Sequence, residues 1–480
     1  MDKAAIIAGA YAFTPTAEQL DFCREMAEFL SHGLDNQCFI LRGYAGTGKT
    51  TSVAALVKAL SQFKYRSVLL APTGRAAKVM SNYTGKKALT IHKKIYRKRA
   101  AVATDLSFQL APNLAEHTLF IVDEASMVAD EWITHTGSSF LKDLMAFVYN
   151  GKNCALVFVG DTAQLPPVGS IDSPALNKAY LASNFGKLVS AVELKEVVRQ
   201  EKRSGILANA TMLRQLINNL EAENEGKVVL PKFMTKNYKD IFRMTGLKLV
   251  EGLEYAYGKF GIENSLVVCR SNKSANVYNQ QIRARLLYRE EELTGGDQIM
   301  VVRNNYFWLP ENESTAFIAN GDMARVVRVR RTEERYGFRF AEVQLEFLDF
   351  PDVGTVTCKV MLDTLTVEAP NLSYEQNNKL FEELNIDYEH IKNKRERFNA
   401  IKEDPYYNAL QIKFAYAVTC HKAQGGQWDA VFVDQGYLTD EMVDMDFLRW
   451  LYTGVTRAKR ELFLVNFAPN LFLAPAEDQF

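Results

Sequence analysis

The spacing of the apolar runs in the sequence predicts an α/β protein of several domains. Short apolar runs end in polar turns that lead into helices, as do parallel strands that are buried on both faces. Between residues 296 and 365 the pattern changes to period two, which is typical of a small all-β module. The strand-like runs lie near residues 38–41, 67–71, 118–122, 155–159, 266–269, 414–419 and 430–433. We therefore expect two strand–helix alternations, with a β module inserted in the second.

Composition excludes several classes of protein. With 480 residues the chain is too long for one core, and 48% hydrophobic residues are ordinary for a globular protein. Lys+Arg and Asp+Glu both number 57, so attraction to nucleic acid would need a local basic patch. The six cysteines are scattered without metal-site spacing, which fits a reducing compartment. No apolar run approaches the ~20 residues that span a bilayer. We expect no membrane partner and a cytoplasmic protein, nucleoid-associated if it is bacterial or from a phage.

The most specific motif is Gly43-x-x-x-x-Gly48-Lys49-Thr50, set between an apolar strand and a helix. Its glycines let backbone N–H groups converge on a phosphate, and the helix N-terminus adds partial positive charge. Lys49 can reach the β- and γ-phosphates, and the Thr50 hydroxyl can hold Mg²⁺. The alternative is a glycine-rich turn that only joins strand to helix. We expect the nucleotide to be bound by Gly43, Gly46, Thr47, Gly48, Lys49, Thr50 and Thr51.

Two further strand ends carry residues suited to phosphate chemistry. Asp123 and Glu124 follow the run 118–122, where Asp123 can bind Mg²⁺ and Glu124 can activate water. The alternative is that this acidic pair caps the next helix. Gln164 follows the run 155–159 and is placed to sense a γ-phosphate or to orient water. Because the carboxyl ends of parallel strands share one edge of a sheet, these residues and Lys49 predict a nucleoside-triphosphatase core.

Other polar residues leave two interpretations open. The Gln19 amide, in the helix that Thr16 opens, can pair with an adenine edge or can be a solvated helix residue. Arg199 and Arg457 can be surface cations or phosphate ligands, since the guanidinium fork suits phosphate. The basic stretch 92–99 can be a phosphodiester track or a solvated loop.

Five motifs in this order resemble those of the superfamily 1 DNA helicases of the RecD/Dda-like class. They are Gly43 to Thr50, Asp123-Glu-Ala-Ser-Met127, Gly160-Asp-x-x-Gln164-Leu-Pro-Pro-Val168, Thr419-x-His-Lys-Ala-Gln-Gly425 and Tyr452-Thr-Gly-Val-Thr-Arg457. The resemblance implies two RecA-like parallel-sheet domains of the P-loop NTPase type, an inserted SH3-like β-barrel and a helical arm. The implied domains are 1–185 (with a strand-separating pin at 93–117), 186–295 with 412–470, and 296–411 (with the arm at about 373–406). The charged arm lacks a full apolar face, so we expect it to project rather than to join a core.

The same resemblance assigns roles to residues. It implies that Gln19 reads adenine, that Gln164 couples phosphate to DNA, and that Arg199 and Arg457 act as arginine fingers. Gly425 joins the expected nucleotide contacts, and Phe108 is the expected wedge of the pin. The residues expected to bind DNA are Thr73, Thr90, His92, Lys93, Asn272, Thr419 and His421.

The implied activity is an ATP-dependent DNA helicase that moves 5′ to 3′ on single-stranded DNA and unwinds duplex, with ATP and Mg²⁺. Its expected partners are single-stranded DNA and forked or tailed duplex, with replication or repair proteins meeting the arm. We expect a monomer of the short form, without an extension ahead of Phe13. Two alternatives remain: a translocase that displaces proteins without separating strands, and an ATP-gated DNA clamp. Glu124 and Gln164 disfavour the clamp, since it needs no hydrolysis.

Overall fold

The computed structural model describes residues 2–98, 108–133, 138–197, 204–222, 228–309, 318–349 and 353–473. Within these residues the chain forms two parallel sheets, a closed barrel and two short two-stranded ribbons. We call residues 3–194 the first lobe, and residues 204–293 with 415–473 the second lobe. The barrel domain lies between the two parts of the second lobe. This is the expected fold class: two parallel-sheet domains with an inserted small barrel.

The first lobe is built on a parallel sheet in the order β10-β1-β9-β6-β2-β3. The strands are β1 (Gln37–Gly43), β2 (Arg66–Ala71), β3 (Ala88–Thr90), β4 (Tyr96–Lys98), β5 (Phe108–Leu110), β6 (Glu116–Val122), β7 (Trp132–Ile133), β8 (Ser138–Ser139), β9 (Lys152–Gly160) and β10 (Leu188–Leu194). The helices are α1 (Lys3–Gly9), α2 (Ala17–Phe29), α3 (Lys49–Leu60), α4 (Gly74–Thr84), α5 (Ile91–Ile95), α6 (Phe140–Tyr149) and α7 (Lys178–Phe185). Apolar side chains of the central strands are buried on both faces, which is why these strands read as continuous apolar runs.

The expected domain boundary at residue 185 is wrong by one strand. β10 pairs in parallel with β1 from Leu188 opposite Gln37 to Leu194 opposite Gly43, so it belongs to the first lobe. β10 is an edge strand, and only Val189 and Leu194 among its residues are buried. Leu188 is 68% exposed, and this mixed burial explains why the strand did not read as part of the first alternation.

The expected pin is present at its base. β4 and β5 pair antiparallel, with Tyr96 opposite Leu110 and Lys98 opposite Phe108. The Tyr96 hydroxyl donates to Asp143 Oδ2 at 2.7 Å, which fastens the ribbon to α6. Residues 99–107 and the Phe108 side chain lie outside the described part of the chain, so the wedge role of Phe108 stays a prediction.

In the sequence, the barrel domain is inserted between two parts of the second lobe. First come α8 (Gly205–Ala222), β11 (Ile241–Met244), α9 (Leu249–Phe260), β12 (Ser265–Cys269) and α10 (Asn272–Gln281). The barrel follows, with β13 (Gln298–Val301), β14 (Met323–Arg335), β15 (Phe338–Phe347), β16 (Thr355–Met361), α11 (Tyr374–Asp387), α12 (Lys394–Lys402) and β17 (Leu410–Phe414). The second lobe then resumes with β18 (Ala417–Thr419), α13 (Cys420–Ala423), β19 (Trp428–Asp434), α14 (Met445–Val455) and β20 (Ala458–Val465). Its parallel sheet has the order β11-β20-β19-β12-β18.

The helical arm, α11 and α12, has a small core of its own. Leu380, Leu384 and Ile401 are buried together with Phe338 and Phe340 of the barrel. The arm was expected to project rather than to join a core, and these three side chains of the arm do join one. The apolar positions are too few to form a continuous stripe in the sequence, but they suffice to seat the arm on the barrel.

The structure also bears on the cysteines and on membrane insertion. All six cysteines are buried and none forms a disulfide. Within the described residues, no helix combines the length and the apolar character needed to cross a bilayer.

Candidate nucleotide site and nucleic-acid face

The loop between β1 and α3 has the geometry of an anion cradle. Gly46 and Gly48 have φ of 77° and 86°, values that glycine adopts at little steric cost. A Cβ at Gly43 would lie 2.8 Å from Thr47 Oγ1, so the loop closes tightly only with glycine there. Gly48 precedes α3, and no described side chain caps that helix. The first N–H groups of α3 therefore suit a bound phosphate.

The side chains of the loop are arranged around its carbonyl groups. Lys49 Nζ donates to Gly43 O at 2.7 Å and to Tyr44 O at 2.9 Å, which holds the ammonium over the loop. The Thr47 hydroxyl is buried and donates to Tyr44 O, whereas Thr50 is exposed on the first turn of α3. The loop, Lys49 and the exposed Thr50 together fit a nucleoside triphosphate.

Asp123 and Glu124 follow the carboxyl end of β6 in a constrained turn. Glu124 has φ 51° and ψ 39°, a left-handed conformation that is strained for a residue other than glycine. Asp123 Oδ1 accepts from Glu124 N at 2.9 Å, and its Oδ2 accepts from the Tyr83 hydroxyl at 2.6 Å. Among the described residues no side chain caps the short helix Ala125–Met127. The alternative that this acidic pair caps the next helix is therefore wrong.

Several charged side chains of the site act on the Glu124 carboxyl. Burial raises the pKa of Glu124 above its ordinary value, and the negative charge of Asp123 adds to that shift. The Arg457 guanidinium and the Lys49 ammonium oppose it. The structure thus brings a lysine of the first lobe and an arginine of the second lobe to one carboxyl. A carboxylate whose pKa is raised is a better proton acceptor.

Gln164 lies beside these charges, just beyond the end of β9. Its side chain is 6% exposed, and the buried Oε1 atom has no hydrogen-bond partner among the described residues. Buried polar atoms are nearly always paired, so this amide suits a polar ligand in the site. The next residue is held by the second lobe: Leu165 N donates to Thr453 Oγ1 at 2.9 Å, and Leu165 O accepts from Gln424 Nε2 at 2.7 Å.

Arg457 is enclosed between the lobes rather than exposed on a helix surface. Its side chain is 3% exposed, Nε donates to Thr453 O at 3.0 Å, and one terminal nitrogen donates to Gly426 O at 3.2 Å. The surface-cation alternative for this residue is therefore wrong. Arg199, the other expected arginine finger, lies outside the described residues.

Gln19 lies against the phosphate loop. It is 4% exposed, its Oε1 accepts from Thr16 N at 3.0 Å, and its Nε2 donates to Thr47 O at 3.5 Å. The solvated alternative is therefore wrong. Because the side-chain oxygen belongs to the capping box of α2, the nitrogen side of the amide faces the loop.

Gly425 is placed away from the phosphate loop. It has φ 73°, and a Cβ on it would come within 3.0 Å of Thr73 Oγ1 and Ala76 Cβ. The glycine therefore lets the second lobe approach the start of α4 closely. Its expected contact with the nucleotide stays a prediction.

The residues expected to bind DNA lie at the carboxyl ends of edge and near-edge strands. Thr73 follows β2 and Thr90 ends β3, the last two strands in the order of the first sheet. Asn272 follows β12 and Thr419 ends β18, the last two strands in the order of the second. Thr73 and Thr90 cap α4 and α5 through their hydroxyls. The Thr419 hydroxyl makes no capping bond to α13. Both lobes thus present hydroxyl groups from corresponding ends of their sheets.

The basic stretch after Thr90 is partly buried, so the solvated-loop alternative does not describe it. The His92 ring stacks on Phe140 with centroids 4.4 Å apart, and burial lowers the pKa of His92 to about 4. The imidazole is therefore neutral near pH 7 and can donate a hydrogen bond without adding charge. Burial also lowers the pKa of Lys93 to about 8, with Lys87 adding to the shift. In the second lobe, burial lowers the pKa of His421.

Three residues of the site had no role assigned from sequence. Tyr83 holds Asp123, while Tyr452 and Asp161 are hydrogen bonded to each other between the lobes at 2.7 Å. Tyr452 and Asp161 stand inside two of the motifs that carry the resemblance, so their position was a usable signal. Tyr83 stands in an ordinary helical stretch, and nothing in its surroundings in the sequence marks it.

Comparison with known families matches both lobes. Residues 16–226 match the family model described as an AAA domain, and residues 414–465 match the UvrD-like helicase C-terminal domain. The chain is 24% identical over 446 residues to the ATP-dependent DNA helicase dda of Enterobacteria phage T4, covering 88% of this chain and 93% of that protein. It is 30% identical over 196 residues to the ATP-dependent RecD2 DNA helicase of Deinococcus radiodurans, covering 41% of this chain and 24% of that protein.

Among solved structures, a Pif1 helicase from Bacteroides in complex with ADP-AlF3 and single-stranded DNA matches with a TM-score of 0.48 and 13% identity. That match covers 96% of this chain and 95% of the other. The two family models, the helicase relatives and the site motifs are in agreement. These matches confirm the resemblance of the chain to the superfamily 1 DNA helicases of the RecD/Dda-like class.

Proposed function

We propose that this protein is an ATP-dependent DNA helicase that moves 5′ to 3′ along single-stranded DNA and unwinds duplex. The observation that carries the proposal is the contact of the two lobes at the phosphate loop, where the Tyr452 hydroxyl of the second lobe accepts from Ala45 N at 2.9 Å. Lys49 and the buried Arg457 both act on the Glu124 carboxyl there. A site completed by two lobes links the state of the nucleotide to the distance between the lobes. That link is what a motor needs and what a simple phosphatase does not.

The first lobe would bind and orient the triphosphate. The N–H groups at the start of α3 and the Lys49 ammonium would hold its phosphates, and Gln19 lies beside Thr47 to meet the base. Thr50 and Asp123 would hold Mg²⁺, which supplies charge neutralisation at the phosphates when bound. Their oxygen donors fit this ion. Among the described residues no group of three or more His, Cys, Asp or Glu side chains could hold a metal by itself.

Hydrolysis would depend on three side chains around the attacking water. Glu124 accepts the proton, Gln164 orients the water with its unpaired amide oxygen, and Arg457 stabilises charge that develops in the transition state. Arg199 is proposed as a second arginine on the strength of the resemblance. Thr453 of α14 is hydrogen bonded to Arg457 and to Leu165, the residue after Gln164, so loss of the γ-phosphate would change the contacts of the second lobe.

Movement along DNA would follow from separate grips by the two lobes. Thr73 and Thr90 of the first lobe and Asn272 and Thr419 of the second present groups suited to the sugar–phosphate backbone. When the lobes close and open, one grip holds while the other advances. Backbone contacts carry little base information, so binding should be insensitive to sequence and weakened by salt.

A strand-displacement assay on duplexes with 5′ or 3′ single-stranded tails tests the proposal. We expect ATP turnover to rise with added oligonucleotide, and the 5′-tailed duplex to be opened while the 3′-tailed one is not. Stimulated turnover without release of an annealed strand would instead support the translocase alternative. Tight ATP-dependent binding with negligible turnover would support the clamp, and release from the 3′ tail alone would reverse the proposed polarity.

A further inference from the structure

One face of α14 in the second lobe contacts the first lobe, both at the phosphate loop and after β9. Arg449, Tyr452 and Thr453 are spaced three and four residues apart, so they project from the same side of the helix. A terminal nitrogen of Arg449 donates to Ile171 O at 2.7 Å, and Thr453 accepts from Leu165 N at 2.9 Å. Tyr452, between them, is the residue that reaches the phosphate loop.

The Tyr452 hydroxyl joins three segments of the chain. It accepts a hydrogen bond from Ala45 N in the phosphate loop at 2.9 Å and donates to Asp161 Oδ2 at 2.7 Å. Asp161 in turn accepts from Ala163 N through Oδ1 at 3.0 Å. Tyr452 and Asp161 are each 1% exposed, so water does not compete for these bonds. Burial raises the pKa of Tyr452 well above its ordinary value, and the hydroxyl keeps its proton for Asp161.

We propose that Tyr452 is a positioning residue that sets the distance between the phosphate loop and Arg457. Arg457 follows Tyr452 by five residues, just beyond the end of α14, and its Nε is bound to Thr453 O. A bond from Tyr452 to the loop therefore fixes the start of the same short segment that presents the guanidinium. Through Asp161 the same hydroxyl also fixes the turn that carries Gln164. The inference rests on the proposed function, because it assigns Tyr452 a part in hydrolysis.

Tyr416 provides a matched control, because it is a buried tyrosine bonded to a buried aspartate and makes no hydrogen bond to the phosphate loop among the described residues. Tyr416 is also 1% exposed, and its hydroxyl donates to the buried Asp297 Oδ1 at 2.8 Å. It lies where the second lobe joins the barrel, beside Arg283 and Arg289, which also bind Asp297. Tyr416→Phe and Tyr452→Phe therefore remove the same group from equally buried carboxylates. Only the second change releases the phosphate loop.

The first measurement is hydrogen exchange of the protein without nucleotide. We expect Tyr452→Phe to speed exchange of the Ala45 amide about tenfold, the effect of losing a bond worth about 1.4 kcal/mol. Amides of β6 should keep wild-type exchange, and Tyr416→Phe should leave the Ala45 amide unchanged. If the Ala45 amide exchanges equally in Tyr452→Phe and wild type, or equally fast in both variants, the proposal is wrong.

The second measurement is steady-state ATP turnover with saturating single-stranded oligonucleotide. Tyr452→Phe should lower kcat about tenfold while KM for ATP stays near the wild-type value, because the groups that bind the phosphates are unchanged and Arg457 is misplaced. Tyr416→Phe should keep wild-type kcat. A kcat for Tyr452→Phe equal to wild type, or a loss confined to KM, would overturn the role. If wild-type turnover ignores the oligonucleotide, the proposed function fails, and hydrogen exchange still decides whether Tyr452 holds the loop.

Discussion

The two lobes share an architecture and divide the chemistry unequally. Both are parallel sheets whose strand ends lead through polar turns into helices. The first lobe holds the phosphate loop, Lys49 and the acids, whereas the second has the same alternation with no such loop in its described residues. Instead it contributes Arg457 and Tyr452 from the region of α14. Neither lobe alone holds both the acids and the enclosed arginine, so activity depends on how the lobes meet.

The contacts between the lobes combine hydrogen bonds with apolar packing, in which Tyr44, Ala163 and Leu165 of the first lobe join a buried cluster of the second. Besides the bonds from α14, Arg75 of α4 donates to Gln427 O at 3.2 Å and stacks over the Trp428 ring at 4.0 Å. Each such bond contributes only about 1 kcal/mol net, since water replaces it when the lobes separate. Under the proposed function, these contacts would form and break in each catalytic cycle. The difference between the lobes is therefore one between a fixed half-site and a movable one.

The largest expected effect comes from removing the cation of the fixed half-site. Lys49→Ala should leave no measurable ATP turnover, because the loop loses both phosphate binding and charge stabilisation in the transition state. Lys58→Ala changes an exposed lysine in the last turn of the same helix and should keep wild-type turnover. Steady-state turnover with oligonucleotide measures both. Substantial turnover in Lys49→Ala would remove the phosphate loop from the mechanism.

The next effect separates binding from chemistry within the fixed half-site. Glu124→Gln should slow hydrolysis about 10²–10⁴-fold while ATP still binds, because the proton acceptor is lost and the phosphate contacts remain. Single-turnover hydrolysis and equilibrium binding of labelled ATP give the two values. Glu116→Gln, at the exposed start of the same strand, is the matched control. Wild-type turnover in Glu124→Gln would mean that another group takes the proton.

The smallest effect concerns His92, on the face of the first lobe that we propose to bind DNA. Burial lowers the pKa of His92 from 6.5 to about 4, so the unfolded chain takes up a proton first as the pH falls. Stability is therefore lost between about pH 6.5 and pH 4, and His92→Asn should lose less of it. Between pH 7 and pH 5, the melting temperature of His92→Asn should fall by a few degrees less than that of the wild type. The exposed His32, replaced by Asn, should keep the wild-type drop.

Sequence patterns were sufficient to place residues that directly follow a predicted strand. The phosphate loop, the acids after β6 and the glutamine after β9 could be placed together because parallel strands end at one edge of a sheet. The prediction for β10 is wrong because a mostly unburied edge strand lacks the continuous apolar run of a central strand. The core of the arm was missed for a similar reason: three apolar side chains on two helices make no stripe.

Contacts between distant segments could not be predicted in the same way. The bond of Tyr452 to the phosphate loop joins residues 407 positions apart, and the bond of Tyr83 to Asp123 crosses from a helix to a neighbouring strand. The neutral state of His92 depends on its burial against Phe140, which a basic stretch of sequence conceals. The packing of Gly425 against Thr73 likewise depends on how the lobes meet.

The most direct test of the composite site is to remove the arginine that the second lobe supplies. Arg457→Ala should slow oligonucleotide-stimulated ATP hydrolysis about a thousandfold while ATP and DNA bind nearly as in wild type. Arg460→Ala, which changes an exposed arginine paired with Asp429, should keep wild-type hydrolysis. If Arg457→Ala hydrolyses ATP at the wild-type rate, or mainly loses DNA affinity, the second lobe does not complete the site and the account is wrong.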